Sequence, residues 1–295
     1  MTELRIECFH RVLPSEARRT HWPYFARGTA MTVEEFDDRL AYLARHYELI
    51  DEVQASKLLD GEASSIRGCW VTFDDGYADV LSHAADVVAK YGIRPSIFIT
   101  TRVLNGNWWP AVDRWYSVLC QARRKVVQLS LNDVRECWDL ETEDGRKRAV
   151  VGKLKSAYLE AKPSQQAEVL NMLCDVLDVS HALAQSTPFL NSSELVELSS
   201  RGWYVGPHGH EHRLLPMLAQ KQLTTEVLDS VNILGSLALR SRSSWFAYSD
   251  GRYSQHVCRE VSKLLSSRGY CGALTIDSRL ASGNDHRWST PRFIA

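Results

Sequence analysis

No two of the seven cysteines stand as Cys-x-x-Cys. Cys8, Cys69, Cys120, Cys137, Cys174, Cys258 and Cys271 are odd in number and widely spaced. That excludes a zinc ribbon and a disulfide scaffold and fits a reducing compartment. The opening residues, Met1-Thr2-Glu3-Leu4-Arg5-Ile6-Glu7, carry acids and no long apolar run, so no signal peptide is read there. No apolar stretch is long enough to span a bilayer, so no transmembrane segment is expected. The expectation is a cytoplasmic protein. An excess of charge is missing too. The formal net charge is −1, which leaves no global electrostatic case for nucleic acid or an anionic membrane surface. Internal repeats and low-complexity tracts are absent.

The 295 residues, 44% of them hydrophobic, suffice for one large α/β domain or two small ones. Tryptophan is abundant, at nine. Trp108, Trp109, Trp115 and Trp138 sit in polar surroundings, as sugar-stacking surfaces or, more commonly, as covers over a core.

The chain is organised around 70–77. Trp70 to Phe73 is apolar, aromatic and β-branched, as a buried strand is. It runs into Asp74-Asp75-Gly76. Adjacent side chains on a strand face opposite ways, so the strand ends here and the acids project from its carboxyl end. In α/β folds that edge collects chemistry. Alone, Asp-Asp-Gly reads as an ordinary turn. A second cluster, Gly206-Pro207-His208-Gly209-His210-Glu211-His212, changes that reading. Histidines four apart lie on one side of a helical turn and close on one metal ion. One carboxylate and two imidazoles with open coordination positions describe a hydrolytic metal centre.

Around these clusters the chain alternates. A first strand over 4–9 leads to a loop with Pro14, Pro23 and Gly28. Thr32 and Glu35 form a capping box for a helix over 33–46. A short strand (47–50) and a helix (52–59) follow. Beyond the acids come a helix over 77–91, capped by Gly92, and a strand over 96–100, which make a βαβ unit. The segment from about 105 to 188 breaks the rhythm. It reads as a helical insertion (109–127, 146–160, 165–177), either a lid or an oligomer surface. Then come a helix (193–200), a strand (203–206), a long helix (218–239), a strand (244–248), a helix (257–268) and a last strand (270–276). Strand ends near Asp75, Thr100, His208 and Ser249 alternate with helices. That favours a parallel (β/α) barrel, distorted or incomplete, within a single domain, over an open sheet.

With both clusters in place, the sequence resembles the polysaccharide deacetylase family, the chitooligosaccharide-deacetylase-like metal hydrolases. Thr72-Phe73-Asp74-Asp75-Gly76 matches that family's first motif at every position. His208 and His212 match its His-x-x-x-His motif. Phe246-Ala247-Tyr248-Ser249-Asp250-Gly251 is similar to its third motif, usually Phe-Ala-Tyr-Pro-Tyr-Gly in this branch. Phe9-His10-Arg11-Val12, Ala273-Leu274-Thr275-Ile276 and Thr290-Pro291-Arg292 add support. The resemblance covers about two-thirds of the chain and leaves the insertion out. It implies a distorted β/α barrel that hydrolyses acetamide groups on amino sugars.

Carried over by position, Asp75, His208 and His212 are the metal ligands and Asp74 is the general base. Zinc suits these ligands, and cobalt, nickel or iron accept them too. The oxyanion and substrate loop is Tyr248, Ser249 and Asp250, with a backbone N–H at Asp250 as donor. Three departures stand out. The family's Leu-x-x-His acid falls on Leu274-Thr275-Ile276-Asp277, so His10 takes that role by analogy with the Tyr-His of biofilm-polymer deacetylases; His286 is a weaker alternative. Ser249 replaces a proline and is expected to loosen its loop. Asp250 replaces the motif's tyrosine and puts an acid beside a developing anion. The arginine that holds the base in many members falls on Ala247, as in the branch the sequence resembles. His210 points elsewhere. The implied substrate is an N-acetylated sugar, a small glycoside, or a nucleotide- or lipid-linked sugar. The competing readings are a non-sugar amide or imide hydrolase on the same centre and a non-catalytic sugar-binding protein.

Overall fold

The computed structural model describes residues 3–62, 66–131, 134–181 and 187–295. They form two compact units. One holds residues 1–12, 32–108 and 188–295; the other holds 13–31 and 109–187.

The first unit is built on parallel strands. In chain order they are β1 (Glu3–Phe9), β2 (Glu48–Ile50), β3 (Arg67–Phe73), β4 (Ser96–Ile99), β5 (Tyr204–Pro207), β6 (Trp245–Ala247), β7 (Gly272–Leu274) and β8 (Phe293–Ile294). Six make one sheet, ordered β8-β1-β3-β4-β5 with β2 also on β3. Six of the seven residues of β3 are buried, as expected of a central parallel strand covered on both faces. Its edges are used unequally. Along one, β1 pairs from Glu3–Arg67 to Phe9–Phe73. The other is shared: β2 takes Gly68 to Trp70, and β4 takes Thr72 and Phe73.

Strands β6 and β7 form a separate parallel pair. Single bridges, Val205 to Arg242 and Leu274 to Thr290, link the pair to the larger sheet's neighbouring segments. The expected α/β class and parallel strands are thus present, but among the described residues the ladder is divided in two and is not a closed ring. The sequence reading missed β8. At two residues it is too short to carry a period, and it exists through pairing with Glu7 and Cys8.

Helices α1 (Val33–His46) and α2 (Glu52–Leu59) both start with capping boxes. Thr32 Oγ1 accepts from Glu35 N at 3.2 Å, and Glu35 Oε2 accepts from Thr32 N at 2.8 Å. Phe36, Leu40 and Leu43 are the buried stripe of α1. Thr32→Ala strips one cap and is expected to lower stability by about 1 kcal/mol, read from a urea midpoint. At the start of α2 the buried Glu52 carboxylate accepts from the Ser96 and Ser243 hydroxyls and from Ser244 N. It ties the start of β4 to the approach to β6. The expected helix over 77–91 is a π-helical turn (Val80–Ala84) running into α3 (Ala85–Lys90).

The second unit carries the helices Ala111–Gln121, Glu143–Val151, Lys153–Glu160 and Pro163–Leu177. It also contains an antiparallel pair, Val126–Leu131 with Val134–Asp139, within the segment expected to be a helical insertion and between two of its expected helices. Burial along Val126–Leu131 alternates with the period of two that a half-buried strand requires. The stretch 13–31, read as loop, contributes short helices at Ala17–Thr20 and Trp22–Arg27. Trp115 and Trp138 are core residues with ring centroids 5.9 Å apart, and Trp109 is buried as well. The covering role is therefore the observed one for these three. No helix among the described residues is long and apolar enough to cross a membrane.

Candidate metal centre

The site is assembled where strands end. Asp74 N still donates to Phe9 O at 3.0 Å, in step with the sheet. Asp75 then adopts φ 73° and Gly76 φ 92°. This left-handed step resolves the problem of two adjacent acids, because it turns Asp75 off the pleat toward the side Asp74 faces. Left-handed backbone costs a non-glycine residue on the order of 1 kcal/mol or more, and such strain gathers at functional sites. Of the four described non-glycine residues with positive φ, three are Asp75, His212 (54°) and Asp250 (58°); the fourth is Asp178.

The expected helical turn at 208–212 is not formed. Gly209 (φ 83°) and His212 (φ 54°) break any helical run, and the segment is an irregular loop after β5. The rings of His208 and His212 still converge, with centroids 5.0 Å apart. His208 N donates to Ile99 O. His208 Nδ1 lies 2.9 Å from Ala247 O. A carbonyl only accepts, so the network assigns the proton to Nδ1 and leaves a lone pair on Nε2.

That Nε2 is 3.5 Å from Asp75 Oδ1, and His212 Nε2 is 3.2 Å from the same oxygen. Asp75 Oδ1 is buried and accepts no aligned hydrogen bond. The potential ligand atoms of Asp75, His208 and His212 all lie within 4.8 Å of one another. A buried carboxylate oxygen with no aligned hydrogen bond, facing Nε2 of two imidazoles, is a donor set that fits a divalent cation between them. Burial pushes the Asp75 carboxyl up, but His212 and His208 outweigh it and hold it well below the usual carboxylate range. His210 turns away, its Nδ1 3.0 Å from Thr101 Oγ1.

Asp74 lies behind this centre, its Oδ2 3.8 Å from His208 Nε2. Arg292 grips it with a two-pronged contact, Nη1 to Oδ1 at 2.9 Å and Nη2 to Oδ2 at 2.7 Å. Arg292 Nη1 also donates to Thr72 Oγ1, and its Nε donates to Thr275 O. Both partners are essentially inaccessible to solvent. Sequence reasoning missed this arginine. The third-motif position that holds such an arginine in many members is Ala247 here, and Arg292 comes instead from the closing segment Thr290-Pro291-Arg292.

Burial favours the neutral form of Asp74, but the guanidinium and His208 prevail and hold its pKa at about 2. The folded value lies below the unfolded one, so this stabilisation is present above the unfolded carboxylate pKa and is lost as pH falls through about 2. The loss is about 2 kcal/mol. Urea stability of wild type should therefore drop more steeply between pH 4 and pH 2 than that of Asp74→Asn. Parallel slopes would contradict the assignment.

His10, at the end of β1, is partly exposed. Its ring nitrogen lies within 4.8 Å of potential ligand atoms of Cys8 and Asp74. Burial lowers its pKa against the pull of Asp75 and Asp74. Cys8 Sγ donates to Asp74 Oδ2 at 3.3 Å, and burial holds the thiol protonated. The alternative to His10, His286, lies elsewhere, as does Asp277, which stands where the family has its histidine. His286 Nδ1 is 3.5 Å from Cys258 Sγ, and Asp277 is exposed and paired with Arg279.

The third-motif loop follows β6. Tyr248 is buried and donates from its hydroxyl to Trp288 O at 2.8 Å. Ser249 was expected to loosen the loop. Its buried hydroxyl instead donates to His208 O at 3.0 Å and fastens the loop to a predicted ligand. Asp250 is partly exposed, with its carboxylate 3.6 Å from Arg252 Nε.

A polysaccharide deacetylase family model matches residues 173–266. That stretch contains His208, His212, Tyr248, Ser249 and Asp250; His10, Asp74 and Asp75 lie outside it. A comparison with curated proteins found no match. Solved structures match the whole fold. The Streptococcus pyogenes deacetylase PplD in complex with acetate is similar at TM-score 0.61 and 15% identity, covering 100% of this chain and 92% of that one. IcaB from Ammonifex degensii matches at TM-score 0.58 and 17% identity, with the same coverage. The BpsB deacetylase domain from Bordetella bronchiseptica matches at 0.53 and 10% identity, covering 99% and 96%. Over the histidine and tyrosine loops the chain is thus similar in sequence to polysaccharide deacetylases, and over its whole length it shares the fold of these solved structures.

Proposed function

We propose that this protein is a metal-dependent hydrolase that removes an N-acetyl group from an amino sugar. The observation that carries the reading is the convergence of His208 Nε2 and His212 Nε2 on the buried Asp75 Oδ1, which accepts no aligned hydrogen bond. These three residues would hold one divalent ion, zinc first among those that fit. Such an ion, when bound, polarises the amide carbonyl and lowers the pKa of water.

The remaining work belongs to the chain. Asp74, kept anionic by Arg292, takes the proton from the attacking water, a role that requires an ionised carboxylate. The Ala247 carbonyl fixes the His208 tautomer. His10 hands a proton to the departing amine, and its lowered pKa makes the imidazolium a stronger acid once protonated. The backbone N–H at Asp250 donates to the oxygen that gains charge.

The experiment is acetate release from N-acetylglucosamine oligomers, with protein stripped by chelator and then given zinc or cobalt. Release that stops on chelation and returns with metal is expected. Release that persists undiminished in the stripped protein would contradict the reading. Turnover of cyclic imides in place of acetylated sugars would move the substrate assignment to the other amide class.

A further inference from the structure

The long helix α5 (Gln220–Ser236) follows α4 (Ser192–Ser200) and turns a buried stripe inward: Leu223, Glu226, Val227, Ser230 and Leu234. Four of these suit a core helix, and one is a carboxylate. Glu226 is 3% exposed, and burial pushes it up to about 7. A leucine there would continue the stripe, whereas a carboxyl group out of water is costly unless it is hydrogen-bonded. Its bonds go to one place. Oε1 accepts from Glu211 N at 2.7 Å and from Arg213 N at 3.3 Å, the two amides that flank His212.

The same oxygen lies against Gly209, where an added Cβ would come within 2.7 Å of it. Gly209 at φ 83° is in a region glycine adopts freely, but His212 at φ 54° is left-handed, which a histidine does not favour. Something outside the loop must hold it.

We propose that Glu226 is the positioning residue for His212: it clamps the loop so that the imidazole meets Asp75 in a site already shaped for the ion. The proposal rests on the metal reading above. What acts is the acceptor oxygen at the full reach of a glutamate side chain, so length matters and charge does not. Residues that orient metal ligands typically change affinity about 10–100-fold when removed.

The test is cobalt affinity, titrated by the visible absorption of the bound ion, on wild type, Glu226→Gln and Glu226→Asp, with urea midpoints of the metal-free proteins in parallel. Glutamine keeps the oxygen at the same reach without charge and is expected to bind within about 3-fold of wild type. Aspartate keeps the charge but withdraws the oxygen by one methylene, and is expected to bind about 10–100-fold more weakly. Equal binding by all three overturns the proposal. So does weak binding by glutamine with strong binding by aspartate, which would show that charge is what matters. Affinity that follows only the urea midpoints also overturns it, in favour of a bulk structural role. Wild type that takes up no cobalt removes the metal reading itself, a result separable from every comparison among variants.

Discussion

Asp75→Ala is expected to release no acetate above background and to retain no stoichiometric divalent ion. The carboxylate is the one anionic group among the three converging ligands. Without it the site offers two neutral imidazoles, of which His208 is fixed in its tautomer by Ala247. Metal catalysis supplies several kcal/mol of transition-state stabilisation, and each 1.36 kcal/mol is a factor of ten, so activity should fall by about 1,000-fold or more. Asp74→Asn separates the roles. Asp74 is paired with Arg292 and is not one of the three grouped ligands. That protein should keep its metal and still lose about 100- to 10,000-fold in rate, the range for removing a general base. Metal analysis and acetate release on both variants check this. Loss of metal from Asp74→Asn with retention in Asp75→Ala would exchange the two roles.

Arg292→Met should be the most destabilising single change at the site. It leaves the Asp74 carboxylate buried at 1% exposure with its cationic partner gone. Breaking a buried pair in this way costs about 3–5 kcal/mol. Arg292→Lys should recover only part of the loss, since an ammonium group cannot make both prongs. The decisive protein is the double variant Arg292→Met with Asp74→Asn. Removing the stranded charge should restore most of the lost stability, so the two changes will be strongly non-additive. Additive losses in urea denaturation would show that the arginine acts through packing alone.

Much of the site could be read from the chain because its chemistry is local. Asp74-Asp75-Gly76 follows an apolar strand, and His208 and His212 follow another, so residue type and strand end together locate the four groups. The backbone that aims them was not readable. Nothing in the residue order says that Asp75 takes the left-handed step, or that His212 does so in place of a helical turn. Arg292 and Glu226 escaped for a different reason. Each is a single residue with no spacing pattern, and its role exists only through a partner distant in sequence. Glu226 did leave a trace, as the charged position in an otherwise inward stripe. Ser249 was misjudged because its loss of proline stiffness was visible while its bond to His208 O was not. In the second unit, the helical periodicity of the neighbouring segments masked the alternation of Val126–Leu131.

A crystal of the protein soaked in zinc, with anomalous diffraction recorded on either side of the zinc edge, puts all of this at risk in one map. One strong peak is expected, about 2.0–2.2 Å from an Asp75 carboxylate oxygen and from Nε2 of both His208 and His212, with Asp74 still gripped by Arg292. A peak seated instead among Cys8, His10 and Asp74, or a fully occupied zinc that contacts neither histidine, would contradict the account.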